Sequence, residues 1–210
     1  YDQPNLIHWF SNKDNHKKYD YYVFNSHWCY EKFRMRFKVP TNRCTVIKNA
    51  VESFPEKQFK RNGKLKMIYH STPWRGLNVL LGAMQLIKSK DVELDVYSST
   101  QIYGDQFKSS NDDQYKQLYD QAKSLPNVNY IGYVSNDEIR KRLQNYDVFC
   151  FPSIWEETSC ISAIESLASG LHMITTNYGA LFETCSEWPV YINYTEDYKQ
   201  LAQLFAFSID

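Results

Sequence analysis

The chain of 210 residues has no net charge, with 24 Lys and Arg against 24 Asp and Glu. That makes it a poor candidate for nonspecific nucleic-acid binding, which depends on basic residues neutralising phosphates. No apolar run approaches the ~18 residues of a spanning helix, and no signal-peptide pattern is visible. The five cysteines (29, 44, 150, 160 and 185) are odd in number and lack Cys-x-x-Cys spacing. This points away from disulfides or zinc and towards reduced, packed thiols in a cytoplasmic protein. Internal repeats and low-complexity tracts are absent. So is a starting Met, and the chain begins abruptly, as a piece of a longer protein does.

What is present suits a folded core. Hydrophobic residues make up 43% and aromatics 16%, mostly Tyr and Phe. The length fits one full domain and part of another. From residue 63 the pattern alternates. Strands are expected over 65–69, 94–97, 128–131, 148–151, 171–175 and 190–192. Helices are expected over 76–87, 112–124 and 135–144, in the stretch after 157, and from about 196. Such alternation implies right-handed crossovers and a parallel sheet covered on both faces, a doubly wound, Rossmann-like α/β domain. Before residue 60 the pattern is a strand near 21–24, a helix over 27–37, a turn at 40–43 and a strand from 44. Residues 53–62 carry Pro55 and read as a linker.

The stretch 147–183 gathers the chemistry. Val148 to Phe151 is an apolar run stopped by Pro152, followed by a polar loop. Ile161, Ile164, Leu167 and Ala168 then recur at helical spacing. Thr158 or Ser159 is placed to cap that helix and Gly170 to end it. Ligands of open parallel sheets bind beyond the carboxyl ends of strands, beside helix N-termini. Glu157 falls at that edge, and Glu165 lies roughly 9–12 Å further along by helical rise. Two acids so far apart cannot share a proton, but they can hold two parts of one extended ligand. The backbone N–H groups of Thr158, Ser159 and Cys160 would suit phosphate. A bare pair of glutamates is ordinarily solvated surface.

The order of these residues is more specific. Glu157-Thr-Ser-Cys-Ile-Ser-Ala-Ile-Glu165-Ser-Leu-Ala-Ser-Gly170, followed by Thr175-Thr-Asn-Tyr-Gly179-Ala-Leu-Phe-Glu183, resembles the donor-site signature of retaining GT-B glycosyltransferases. Thr158-Ser159-Cys160 stands where many members have Gly-Phe-Gly. In His70-Ser-Thr-Pro-Trp-Arg75-Gly76, the basic residue before a glycine matches the family's ligand for the donor diphosphate. Ser71 and Thr72 occupy the place where many members carry another base. Gly132, Tyr133 and Val134 match the turn that holds the nucleotide base. Val46-Ile-Lys-Asn-Ala-Val51 matches the strand leading out of the family's first domain, with Ala50 replacing a glycine.

The resemblance implies residues 1–60 as the end of an N-terminal acceptor domain with its linker, and 61–210 as a nucleotide-sugar-binding domain. It implies Glu165 on the ribose hydroxyls and Arg75 on the diphosphate. Glu157 and the backbone of Thr158, Ser159 and Cys160 would lie against the donor sugar. Arg75 and Glu157 are the catalytic candidates, while Gly179 and Glu183 rank second. Gly179 is expected to let the backbone approach the ligand. The activity implied is metal-independent, retaining transfer of a hexose-type sugar from a nucleoside-diphosphate sugar to a glycan or lipid-linked acceptor. No cofactor is implied, consistent with the lack of an Asp-x-Asp motif. Any peripheral membrane contact would lie in the rest of the first domain. The rival readings are a GT-B-fold sugar-nucleotide epimerase and a non-catalytic nucleotide-sugar-binding module.

Overall fold

The computed structural model describes residues 3–58 and 63–210. Its first part holds α1 (Pro4–Ser11), α2 (Lys13–His16), β1 (Tyr22–Phe24), α3 (His27–Phe37) and β2 (Cys44–Val46). Helix α3 starts where expected because Ser26 accepts the N–H of Cys29, satisfying one of the free amides of the first turn. It stops at Lys38, which takes the left-handed conformation at φ 54°. Strands β1 and β2 pair in parallel. Tyr22, Phe24, Cys29, Phe37 and Val39 form a small core of their own, with the rings of Phe10 and Phe33 edge-on at 5.5 Å.

Strand and helix alternate thereafter. The strands are β3 (Leu65–His70), β4 (Val92–Tyr97), β5 (Val128–Tyr130), β6 (Val148–Phe151), β7 (His172–Thr176) and β8 (Val190–Ile192). The helices are α4 (Leu77–Leu86), α5 (Asp105–Asn111), α6 (Lys116–Ser124), α7 (Asn136–Arg142), α8 (Ile161–Ala168), α9 (Leu181–Cys185) and α10 (Tyr198–Ile209). All six strands are parallel, in the order β5-β4-β3-β6-β7-β8. This is the expected doubly wound α/β sheet. Met67, Ile68 and Tyr69 of β3 and Phe149, Cys150 and Phe151 of β6 are fully buried, as central strands covered on both faces must be. Gly82 lets α4 and α10 approach closely: a Cβ there would lie 3.3 Å from that of Ala202.

The observed elements differ locally from the expected ones. Residues 112–115 form a 3-10 turn, and only then does α6 begin. Helices α1, α2, α5 and α9 carried no periodic signal: α5 is polar with no buried residue, and α9 has five residues. Of the expected linker, residues 59–62 lie outside the described residues.

Strand order sets up the site. From β3 the chain winds outward through β4 and β5, then returns to add β6 on the other side of β3. The loops leaving β3 and β6 therefore part at neighbouring strand ends, opening a crevice at the switch point.

Candidate functional site

Arg75 leaves β3 by one of these loops and Glu157 leaves β6 by the other. They are 82 residues apart in sequence and meet at the crevice. Arg75 Nη1 donates to both Glu157 carboxylate oxygens, at 2.9 and 2.7 Å. Two glycines make the approach feasible. A Cβ on Gly76 (φ 106°) would sit 1.9 Å from the Pro152 carbonyl oxygen. One on Gly179 (φ 65°) would sit 2.5 Å from the Glu157 backbone nitrogen. The close approach at Gly179 is therefore to the Glu157 loop, where a ligand was expected, and the N–H of Ala180 donates to the Glu157 carbonyl at 2.7 Å.

Glu157 is 3% exposed. Burial pushes its carboxyl up to about 7, and the Arg75 guanidinium pulls against that rise. Burial acts in the opposite sense on Arg75, but the neighbouring carboxylate keeps its guanidinium above its usual value. Among the described residues, Nε of Arg75 and the hydroxyls of Thr72 and Ser98 are buried without a hydrogen-bond partner. Such orphans are rare in folded proteins; Ser98 follows β4, and Arg75 and Thr72 lie in the loop that opens α4. That loop therefore carries a permanent cation, two idle hydrogen-bonding groups and a helix N-terminus.

Beside the pair, the exits of β3, β4 and β5 enclose a cavity of about 280 Å³. Its lining includes Ser71, Gly132, Tyr133 and Val134, brought together as expected, and also Tyr97, Ser99 and Asn136. His70 lines it too and went unmarked in the sequence. Burial lowers its imidazole to about 3, so the ring is neutral and exchanges a hydrogen bond with Ser166 Oγ at 2.8 Å. Glu165, next in sequence to Ser166, is buried on α8. Its Oε1 accepts from Asn136 Nδ2 at 3.1 Å and from Arg140 Nη1 at 2.9 Å. Arg140 and Asn136 were missed because a surface-type base and amide in an acid-started helix carry no signal.

Thr158 and Ser159 do not cap α8. Cys160 holds the cap position, with no side-chain bond. Thr158 Oγ1 instead accepts from Asn25 Nδ2 at 3.2 Å, and Ser159 Oγ accepts from Asn49 Nδ2 at 3.0 Å. The two hydroxyls are used by partners from the first part of the chain, which no local rule could reveal. Glu183 is placed similarly. Its carboxylate accepts the backbone N–H groups of His27 and Trp28, at 2.9 and 2.8 Å, and meets His27 Nδ1 and Lys48 Nζ. Partial burial would raise its carboxyl, but these donors outweigh it and hold the group at about 2. A carboxylate on the first-turn amides of α3 also meets the positive end of the helix dipole. Glu183 thus joins the six-stranded sheet's domain to the β1–β2 unit.

Among the described residues, no three His, Cys, Asp or Glu side chains converge as a metal site, and no helix is long and apolar enough to cross a membrane. All five cysteines are unpaired.

Comparison with known proteins adds the following. No curated protein sequence matches the chain. Among solved structures, a glycosyltransferase from Rickettsia africae superposes with a TM-score of 0.73 at 20% identity, over 100% of this chain and 58% of that one. HepE from Anabaena, in complex with UDP-glucose, gives 0.68 at 14% identity, over 95% and 58%. WaaG, a glycosyltransferase involved in lipopolysaccharide biosynthesis, gives 0.65 at 12%, over 89% and 53%. At these identities the likeness is one of fold, and this chain spans little more than half of each relative. Residues 51–207 match the family of glycosyl transferases group 1. That match covers most of the sequence and includes Arg75, Glu157, Glu165 and the cavity beside them, so the chain belongs to the glycosyl transferases group 1, with the fold of a C-terminal GT-B domain.

Proposed function

We propose that this chain forms the nucleotide-sugar-binding half of a metal-independent, retaining glycosyltransferase. On this reading it moves a hexose-type sugar from a nucleoside-diphosphate donor to a glycan or lipid-linked acceptor. The observation that carries the reading is the Arg75–Glu157 pair at the switch point, beside the cavity lined by Ser71, Gly132, Tyr133 and Val134.

The base enters that cavity and lies against the Gly132 turn. Glu165 takes the ribose hydroxyls. The diphosphate settles at the start of α4, where Arg75 supplies Nε and charge and Thr72 its hydroxyl. Departure of the diphosphate then builds negative charge at groups already fixed in place, so little reorganisation is needed as the glycosidic bond breaks. Glu157, anchored by Arg75, lies against the sugar with the backbone of Thr158, Ser159 and Cys160. The β1–β2 unit, held by Asn25, Asn49 and Glu183, is the near edge of the acceptor side. Transfer needs donor and acceptor at near-attack distance with water excluded, and positioning supplies roughly 7–11 kcal/mol of such barriers. This chain by itself therefore binds donor and transfers poorly, with slow hydrolysis to free sugar as its main turnover.

The test is a thermal-shift screen of UDP-, GDP- and ADP-sugars and the free diphosphates, since ligands that bind only the native state raise its melting temperature. UDP-glucose, the ligand of the Anabaena relative, is the first donor to try. A rise that survives EDTA is expected. No rise with any nucleotide overturns the reading, and a rise that EDTA abolishes and Mg²⁺ restores overturns its metal-free part.

A further inference from the structure

Arg140 touches both the Glu165 site and the segment that joins the two sheets. It lies on α7 one turn after Asn136, so the two side chains share a face. Nη1 donates to Glu165 Oε1 at 2.9 Å, and Nη2 donates to the Glu52 carbonyl at 3.1 Å. The guanidinium also lies over the Phe54 ring, 4.3 Å from its centroid. Two neighbours fix the same segment: Gln144 Nε2 donates to the Pro55 carbonyl and Lys57 Nζ to that of Tyr146. Arg140 alone of these contacts reaches the carboxylate.

The geometry at Glu165 is one-sided. Both donors, Asn136 and Arg140, fall on Oε1. Oε2 is the oxygen left to accept from a ligand, and Asn136 itself lines the cavity. A glutamate side chain is costly to order, and here two charged or polar partners have already ordered it. The fork of an arginine suits this double role, because its N–H groups diverge in one plane while its face stacks on a ring.

We infer that Arg140 is a positioning residue for the nucleotide ribose. It fixes Glu165 so that Oε2 meets the ribose hydroxyls, and it ties that presentation to the docked segment 52–57. Ribose binding and the order of the segment between the two sheets are then coupled. The coupling is reciprocal: a nucleotide with its hydroxyls steadies the segment, and a docked segment tightens the ribose site. This rests on the donor-site reading above.

The experiment compares UDP, GDP and ADP with their 2′,3′-dideoxy analogues by calorimetry, for the wild-type chain, Arg140→Gln and Arg140→Lys. Hydrogen exchange over residues 52–57 is followed with each ligand. Hydrogen bonds to a charged partner are strong, so the wild type should prefer the ribose form about ten-fold or more. Arg140→Gln should bring the preference to within about two-fold, mainly by weakening the ribose form, since only that form uses the bond to Glu165. Arg140→Lys keeps the charge and lacks the fork, so its preference should fall between the two. In the wild type the ribose form should slow exchange over 52–57 more than the dideoxy form does, and in both variants that difference should vanish. A merely structural role would weaken both ligands alike and leave their ratio unchanged. If Arg140→Gln fails to fold, Arg140→Lys carries the test. An unchanged ratio in the folded variants overturns the inference while leaving the donor-site reading intact. Wild-type binding with no preference for ribose removes the role of Glu165 and the inference with it. Wild-type failure to bind any nucleotide overturns the donor-site reading itself.

Discussion

The Arg75–Glu157 pair makes a pH-dependent prediction that is independent of any ligand. Glu157 has an ordinary value of 4.5 and stands at about 7 in the folded chain. Because its folded value is raised, the native state holds more protons than the unfolded chain between those limits. Stability from this group therefore falls as pH rises through that window. At about 1.4 kcal/mol per unit, the loss is on the order of 3 kcal/mol by neutral pH. Arg75 limits it. Arg75→Met keeps an apolar stem of similar length and removes the charge, so the Glu157 value should climb further. At pH 6 the carboxyl is largely protonated with or without Arg75, and the variant loses little through this term. At pH 8 the wild type has ionised and is paired, whereas the variant must bury a bare carboxylate or keep its proton. Each pH unit by which the fall extends costs about 1.4 kcal/mol, roughly 3–6 °C for a chain of this size. Tyr69 and Cys160, the neighbouring titratable groups, are held far above their ordinary values by burial, so they stay neutral across the range. The assay is the melting temperature of wild type, Arg75→Met and Arg75→Met/Glu157→Gln at pH 6 and 8. The extra loss at pH 8 should appear in Arg75→Met and disappear in the double variant. An equal loss at both pH values, or a pH effect that persists without Glu157, refutes the reasoning.

Other outcomes follow from the same geometry. Glu165→Ala should weaken free nucleotide and nucleotide sugar alike, whereas Glu157→Ala should spare the nucleotide and weaken the sugar-bearing form; equal losses in both variants contradict this division. Arg75→Ala should weaken nucleoside diphosphates by roughly 1.5–3 kcal/mol, about ten-fold or more, in calorimetry. Glu183, held at about 2 against an ordinary 4.5, stabilises the fold above that ordinary value and loses its contribution as pH falls towards 2. Its contribution is on the order of 3 kcal/mol before solvent screening reduces it, so Glu183→Gln should flatten the acid limb of a plot of melting temperature against pH. Gly76→Ala should cost well over ~3 kcal/mol in urea unfolding, because its Cβ would strike a backbone carbonyl; Gly104→Ala, at φ 95° and ψ 167° but with open space around it, should cost only the ~1–3 kcal/mol of an unfavourable backbone conformation. Similar losses at the two glycines would mean that the Pro152 contact yields.

Sequence alone determined the layered architecture. The apolar run Val148–Phe151 is too short for a helix and too apolar for a one-sided strand, so it had to be central in a covered sheet. Helices α3, α4 and α8 were legible through spacing, and the end of α8 through Gly170. Those signals are local: they depend on residues within a few positions of one another. The order of Glu157, Glu165 and Gly179 named the family, because linear order is itself a sequence property. Tertiary structure decided how each charge is used. Arg75 and Glu157 meet only because the strand order reverses between β3 and β6. Thr158 and Ser159, plausible caps in isolation, are taken by Asn25 and Asn49 from more than a hundred residues away. Gly179 faces the Glu157 backbone, Glu183 sits on the α3 amides, and Arg140 finds Glu165 across two helices. A buried carboxylate must be paired or protonated, but the chain does not say beforehand which donor will be near. That depends on where the sheet brings its loops, and long-range proximity has no period in the sequence to announce it.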